Sequence, residues 1–302
     1  YGDHRDLHLS IRRQRQMCIR DRKYRPSNFQ DLIGQEYLVE TIQKSIEQNK
    51  IPNAYIFTGI RGVGKTTTAR IVAKMLNCTV FDKNNNPDLS NCEQAKAITE
   101  DRHPDVIEID AASNTSVENA REIIENVKYN PVLGKYKVYI VDEVHMLSKS
   151  AFNALLKTLE EPPEHVKFIF ATTEATKILP TIISRCQRFD LRRIPTKVIA
   201  EQLSHIASEE GINLDPVAAT AIAKGADGGM RDAQSMLDQL VAFCGEKISE
   251  SDVLEVFGFT GIETITGLGS SIIQKDTVKA LSLIHISEPT RPERIADAGV
   301  CV

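Results

Sequence analysis

The chain has 302 residues, 41% of them hydrophobic and 26% charged, with a formal net charge of −4. That composition describes a globular protein with mass for about two domains, and its charge gives no overall basic footprint for nucleic acid, leaving only local contacts. No apolar run approaches the roughly 18 residues that span a bilayer, and no secretory signal is present. The expectation is a cytoplasmic protein with reduced thiols and no membrane partner.

The two flanks are read first because they do not belong to the pattern between them. Residues 17–22, Met-Cys-Ile-Arg-Asp-Arg, can be encoded by a DNA segment whose reverse complement reads Leu-Ser-Leu-Ile-His-Ile, the sequence at 281–286. One segment read in both orientations accounts for both ends and resembles a sequencing-library adapter. Residues 1–22 and 281–302 are therefore expected to be adapter-derived, and fold reasoning excludes them. Cys78, Cys92, Cys186 and Cys244 remain.

The basic, proline-interrupted Lys23-Tyr24-Arg25-Pro26 leads to a helix with Leu38, Ile42 and Ile46 at helical spacing. Residues 54–57 read as a buried parallel strand. They run into Gly59-Ile60-Arg61-Gly62-Val63-Gly64-Lys65-Thr66, which fits G-x-x-x-x-G-K-[ST] at every fixed position. Glycines there admit positive φ and remove the Cβ, so backbone N–H groups can close around phosphate oxygens. Lys65 would reach the β- and γ-phosphates of a nucleoside triphosphate, and the Thr66 hydroxyl would complete a Mg2+ shell. The helix expected from Thr67 to residue 77 points its N-terminus at that phosphate.

Residues 78–92, rich in Asn and Asp, read as a surface insertion. A strand at 106–110 and a helix from Ser116 to 127 follow. Residues 137–141 form a third strand that closes on Asp142-Glu143. Opposite a P-loop, the first carboxylate can hold magnesium and the second can orient or deprotonate a water. A helix at 148–161 stops before Pro162-Pro163, a fourth strand covers 167–172 with Thr173 just past its end, and a fifth covers 188–191. Strands alternating with helices imply a mostly parallel α/β sheet covered on both faces. Ligands bind at the carboxyl ends of such strands, where Gly59, Asp142 and Thr173 fall. Beyond residue 195 the pattern turns helical, with spans at 198–209, 216–224, 230–244 and 249–256. Arg231 follows Gly228-Gly229 near a helix start, where the helix dipole disfavours a cation. A further helical piece begins at Gly258.

These residues together identify a family. Residues 23–280 resemble the bacterial DNA polymerase III γ/τ subunit, a clamp-loader AAA+ ATPase. The match is carried by Lys23 to Pro26, the P-loop, residues 106–113 (VIEIDAAS), 142–147 (DEVHML), 155–163, 181–188 and 228–232 (GGMRD). The resemblance implies an AAA+ domain over 23–194, a small helical lid over 195–248 and the start of a helical collar over 249–280. ATP and Mg2+ are the implied ligands. Gly59, Arg61, Gly62, Val63, Gly64, Lys65, Thr66 and Thr67 would bind the nucleotide, with Thr66 and Asp142 on magnesium. Glu143 would polarise the hydrolytic water, Thr173 would stand at sensor 1 and Arg231 at sensor 2. Arg185, in Ser-Arg-Cys, would act as an arginine finger on ATP in a neighbouring subunit. Implied partners are delta and delta-prime subunits, other gamma/tau copies, the beta sliding clamp and primer–template DNA, without a polymerase active site in this chain.

Two departures stand out. The family's insert carries four zinc-binding cysteines, and Leu89 and Ala95 stand at two of those positions here, leaving Cys78 and Cys92. Structural zinc needs about four ligands, so none is expected. The collar is also expected to be cut short. Other readings weighed are a branch-migration type AAA+ motor, which calls for a winged-helix domain after the lid, and an ATPase-silent loader scaffold, which the intact Lys65, Thr66, Asp142 and Glu143 disfavour.

Overall fold

A computed structural model describes residues 23–29, 31–48, 50–81, 87–113, 124–258, 262–274 and 276. Both flanks lie outside these residues, as does the start of the helix expected at Ser116; residues 124–127 at its end are helical.

Five strands make one sheet: β1 (Ala54–Thr58), β2 (Val106–Asp110), β3 (Lys137–Asp142), β4 (Val166–Thr172) and β5 (Gln187–Asp190), in the order β2-β3-β4-β1-β5. Every pairing is parallel, so each connection crosses over through other structure. Helix α1 (Glu36–Glu47) precedes β1, α2 (Lys65–Asn77) and α3 (Glu93–Thr99) lie between β1 and β2, α4 (Lys149–Glu160) follows β3, and the short α5 (Pro180–Ile183) precedes β5. Ser148 caps α4, its hydroxyl accepting from the Ala151 N–H.

The side-chain period of two divides the strands between two cores. Tyr55, Phe57, Val138, Ile140 and Ile169 pack with Ile71, Val72 and Leu76 of α2 on one face. Ile56, Tyr139, Val141, Phe168 and Phe170 pack with Phe152, Leu155 and Leu159 of α4 on the other. A sheet sandwiched in this way needs apolar residues at successive positions, which is why β1, β3 and β4 appear in the sequence as runs rather than alternations. Arg70 of α2 locks the edge strand through a bidentate pair with Glu108, at 2.7 and 2.9 Å.

Beyond the sheet, α6 (Thr196–Glu209), α7 (Pro216–Gly225), α8 (Met230–Cys244), α9 (Glu250–Phe257) and α10 (Ile262–Ile273) follow. Their buried residues, among them Ile199, Leu203, Ile222, Leu237 and Val253, join the α2-side core of the sheet. A two-residue parallel ladder, β6 (Asn213–Leu214) with β7 (Lys247–Ile248), lies among these helices; nothing in the sequence pattern announces it.

The insertion departs from its expected surface character at both ends. Cys78 and Cys92 are buried, and together with Ala95 they form a small cluster onto which Val80 and Leu89 pack. Polar residues dominate the segment by count, but its few apolar ones gather inward, with α3 as a support that the sequence reading passed over. A second loop is held by one carboxylate. Asp105, almost wholly buried, accepts the N–H groups of Val132, Leu133 and Gly134 at 2.7, 2.7 and 2.8 Å.

Candidate nucleotide site

The parallel register brings Thr58, Asp110, Asp142, Thr172 and Asp190 to one edge of the sheet. Residues just beyond the strand ends therefore share one region, and a cleft of about 1270 Å³ opens there. Arg61, Gly62, Val63, Gly64, Lys65, Thr66, Thr67, Asp142, Glu143, Thr173 and Arg231 all line it. The sheet thus gathers residues spread over 171 positions of sequence, from Arg61 to Arg231 counted inclusively.

The loop between β1 and α2 has the conformation its glycines permit. Gly62 and Gly64 have φ of +73° and +102°, values that L side chains adopt only with strain. A Cβ on Gly62 would lie 3.2 Å from Asp232 Oδ2 and 3.3 Å from Arg231 Cβ. The phosphate loop therefore touches the start of α8 directly, and the Arg231 N–H donates to the Gly62 carbonyl at 3.3 Å. Gly229 closes the contact from the other side: a Cβ there would meet the Arg61 carbonyl oxygen at 2.9 Å.

Lys65 is buried, and its Nζ donates to the carbonyls of Gly59 (3.1 Å) and Ile60 (2.9 Å). Burial lowers its pKa, against the opposing pull of Glu143 and Asp142. Thr66 Oγ1 donates to Asp142 Oδ2 at 2.7 Å, and Asp142 Oδ1 accepts the Glu143 N–H at 2.9 Å. Burial raises the Asp142 carboxyl, outweighing those hydrogen bonds. Burial thus disfavours the charged form of both groups, and a partner of opposite sign would favour it, a phosphate for Lys65 and a cation for Asp142. Glu143 has φ +47° and ψ +45°; its Oε2 accepts from the N–H and the hydroxyl of Thr173, both at 3.0 Å.

The residues present fit a magnesium nucleotide. Mg2+ takes few protein ligands, keeping waters and phosphate oxygens, and the Thr66 hydroxyl and Asp142 carboxylate already stand side by side. No cluster of three or more His, Cys, Asp or Glu among the described residues is arranged to hold a metal by itself.

Arg185 is placed elsewhere. It follows α5, donates to the Thr181 carbonyl (2.6 Å) and to Glu160 Oε1 (2.7 Å), and does not line the cleft of its own chain. The sequence reading also passed over a wall. Tyr24, Arg25, Pro26, Leu32, Ile33, Ile194, Met230 and Gln234 border the cleft. The N-terminal part of that wall is tied at two points. Tyr24 OH donates to Glu210 Oε1 at 2.8 Å, alongside a Lys23–Glu210 ion pair, and Lys74 Nζ donates to the Ser27 carbonyl at 3.4 Å. The motif Lys23 to Pro26 was visible in the sequence, but its place beside the cleft was not.

At the level of sequence families, residues 34–195 match the profile described as DNA polymerase III, delta subunit, and residues 198–246 match the DNA polymerase III clamp loader subunit, ATPase lid domain. The DNA polymerase III subunit tau of Bacillus subtilis is 46% identical over 264 residues, covering 87% of this chain and 46% of the relative. Subunit tau of Escherichia coli is 42% identical over 264 residues, covering 87% and 41%. Subunit gamma of Buchnera aphidicola subsp. Schizaphis graminum is 41% identical, covering 87% of this chain and 72% of the relative. The chain thus spans less than half the length of the two tau relatives. Among solved structures, the Thermotoga maritima RuvB Holliday junction branch migration motor superposes with a TM-score of 0.57 at 19% identity, covering 86% of this chain and 85% of that one. At that identity the likeness shows the fold. No helix among the described residues is long and apolar enough to cross a membrane.

Proposed function

The chain belongs to the DNA polymerase III gamma/tau family of clamp-loader subunits, and on that premise we propose that it binds and hydrolyses ATP to place the beta sliding clamp on primer–template DNA during replication in the cytoplasm. Its working unit would be an AAA+ domain over residues 23–194 with a lid over 195–248 and a collar beginning at 249. It would act with delta, delta-prime and further gamma/tau copies, and it would carry no polymerase site of its own. The insert, with two cysteines packed among Val80, Leu89 and Ala95, would need no zinc.

One observation carries the reading. Lys65, Thr66, Asp142, Glu143, Thr173 and Arg231 meet in a single cleft while Arg185 stands outside it. In this reading the backbone N–H groups of residues 62–67 and Lys65 hold the phosphates. Thr66 and Asp142 would hold magnesium, which when bound supplies positive charge to the β- and γ-phosphate oxygens. Glu143 takes a proton from the attacking water, and Thr173, already hydrogen-bonded to Glu143, faces the γ-phosphate. Arg231 sits where the P-loop meets the lid helix α8, so nucleotide occupancy bears directly on lid position. Arg185 completes the site of the adjoining copy, a role worth about three to five orders of magnitude in rate where arginine fingers operate. Hydrolysis then reports on assembly, and its energy goes into changing contacts between subunits.

The test is ATP turnover by the chain with clamp, delta and delta-prime subunits and primed DNA, for the wild type and Arg185→Ala. Turnover that needs the partners and collapses in the variant, with ATP binding retained, is expected. Equal hydrolysis by the isolated chain with or without Arg185 would replace this reading with a self-contained ATPase.

A further inference from the structure

His145 lies against the cleft machinery without a role in the account above. It sits in the 3-10 turn Val144–Met146 that follows β3, with its side chain only 7% exposed. Its Nδ1 is 3.0 Å from Thr172 Oγ1 and 3.3 Å from Glu143 Oε2. Its Nε2 lies 3.7 Å from Glu174 Oε1, a carboxylate that is also paired with Lys177.

Both ring nitrogens face a carboxylate, and the nearer contacts, those at Nδ1, favour the proton there. A bare Nδ1 would set its lone pair against the Glu143 carboxylate, a repulsive arrangement, whereas an Nδ1–H is attracted to it. With the proton on Nδ1, Thr172 Oγ1 accepts from the ring as well as from the Glu174 N–H, which reaches it at 3.0 Å. Glu143 Oε2 then accepts two hydrogen bonds, from the Thr173 N–H and the Thr173 hydroxyl, and has the polar ring edge of His145 at 3.3 Å as a third, electrostatic contact. Its Oε1 takes no hydrogen bond from the described residues. The backbone adds a fourth restraint. Glu143 adopts a left-handed conformation, of order 1–3 kcal/mol above an ordinary one, and its carbonyl accepts the Met146 N–H at 2.9 Å. The turn that carries His145 thus also fixes the peptide that aims Glu143.

We propose that His145 is a positioning residue for Glu143: with its Nδ1–H donated to Thr172 Oγ1, the ring edge 3.3 Å from Oε2 holds that one carboxylate oxygen, leaving the other to accept a proton from the hydrolytic water. The proposal rests on the ATPase reading, since it assigns His145 to the base of that reaction. A carboxylate anchored by one oxygen keeps its second oxygen at constant distance from the γ-phosphate, where displacements near 1 Å are costly. Partners that orient a reacting group are typically worth about 10–100-fold.

The experiment compares His145→Ala and His145→Asn in the complete chain with its loader partners, measuring kcat, KM for ATP and melting temperature. A second arm reads the His145 ring nitrogens by 15N NMR in the chain alone. The expected result is a kcat lowered about 10–100-fold in the alanine variant, with little change in KM or melting temperature. Asparagine, whose amide nitrogen can stand at the Nδ1 position, should restore most of it. NMR should find the proton on Nδ1, and Glu143→Ala should move the ring towards the Nε2–H tautomer. An unchanged or faster kcat in the alanine variant, an asparagine variant as slow as alanine, or a sole proton on Nε2 would each overturn the proposal. A wild-type chain that never hydrolyses ATP would sink the ATPase reading instead, and the NMR arm would still decide the contact.

Discussion

Thr66 and Asp142 share a 2.7 Å hydrogen bond although 76 positions separate them in sequence. One is the final residue of the phosphate loop and the other the final residue of β3, so the contact fixes the loop against the sheet at the point where magnesium would enter. The neighbouring burial raises the Asp142 carboxyl, which means that its charge costs the fold stability.

Asp142→Asn follows from that balance. Magnesium-dependent ATP turnover should fall at least about 100-fold, while the melting temperature without magnesium should hold or rise, because a neutral amide relieves the buried charge. Parallel turnover assays and thermal melts check both halves. A variant that melts well below the wild type would show that the carboxylate supports the fold.

Gly229→Ala tests the contact between lid and loop. Its φ of −97° is open to any residue, so the substitution acts only through the added carbon, 2.9 Å from the Arg61 carbonyl oxygen. Relieving that overlap costs about 1–3 kcal/mol, and separating α8 from the loop is the available route. ATP affinity should weaken roughly tenfold, as isothermal titration would show, with modest loss of thermal stability. Unchanged affinity would mean that the lid does not contribute to holding the nucleotide.

Asp105 makes a pH-dependent prediction. Burial alone would raise its carboxyl, but the N–H groups of Gly134, Val132 and Leu133, with His103, bring the net shift below the usual aspartate value. A depressed folded pKa gives stability that is present above the unfolded value, near 4, and that is lost as pH falls through the folded value. Asp105→Asn should therefore lose about 2–4 kcal/mol at neutral pH, by urea denaturation. The gap between variant and wild type should narrow below about pH 4.

The insert predicts indifference to chelators. Cys78 packs with Ala95 and Leu89, as does Cys92. Burial alone would raise its thiol, but the N–H groups of Ala95, Thr79 and Gln94, together with the Cys78 thiol, lower it overall. Dialysis against a strong zinc chelator should leave the melting temperature unchanged. Filling the two missing positions, Leu89→Cys with Ala95→Cys, should create a chelator-sensitive fold if the geometry admits four ligands.

What could be read from sequence depended on how local each signal was. The strands Ala54–Thr58, Lys137–Asp142 and Val166–Thr172 are buried along almost their whole length, so their apolar runs carried the message alone. The phosphate loop was legible because its chemistry requires fixed residue types at fixed spacing. Helix α3 was missed because seven residues carry only two buried side chains, Ala95 and Ile98, too few to set a period. The inward ends of the insert were missed because two cysteines in a polar stretch carry no compositional weight. The wall formed by Tyr24 to Ile33 and the Gly229 approach depend on segments distant in sequence, and no local pattern says which surfaces will meet. His145 lay inside a recognised motif, but its bond to Thr172 exists only because β3 and β4 are neighbours.

The paired attachment of residues 23–27, to Glu210 at the end of α6 and to Lys74 on the P-loop helix α2, makes that segment a tether between the two helices. A movement of α6 would therefore pull on the wall of the cleft. Cutting the Glu210 knot should loosen that wall while leaving the phosphate loop intact, so that Glu210, outside the cleft lining, would help set how long a nucleotide stays bound.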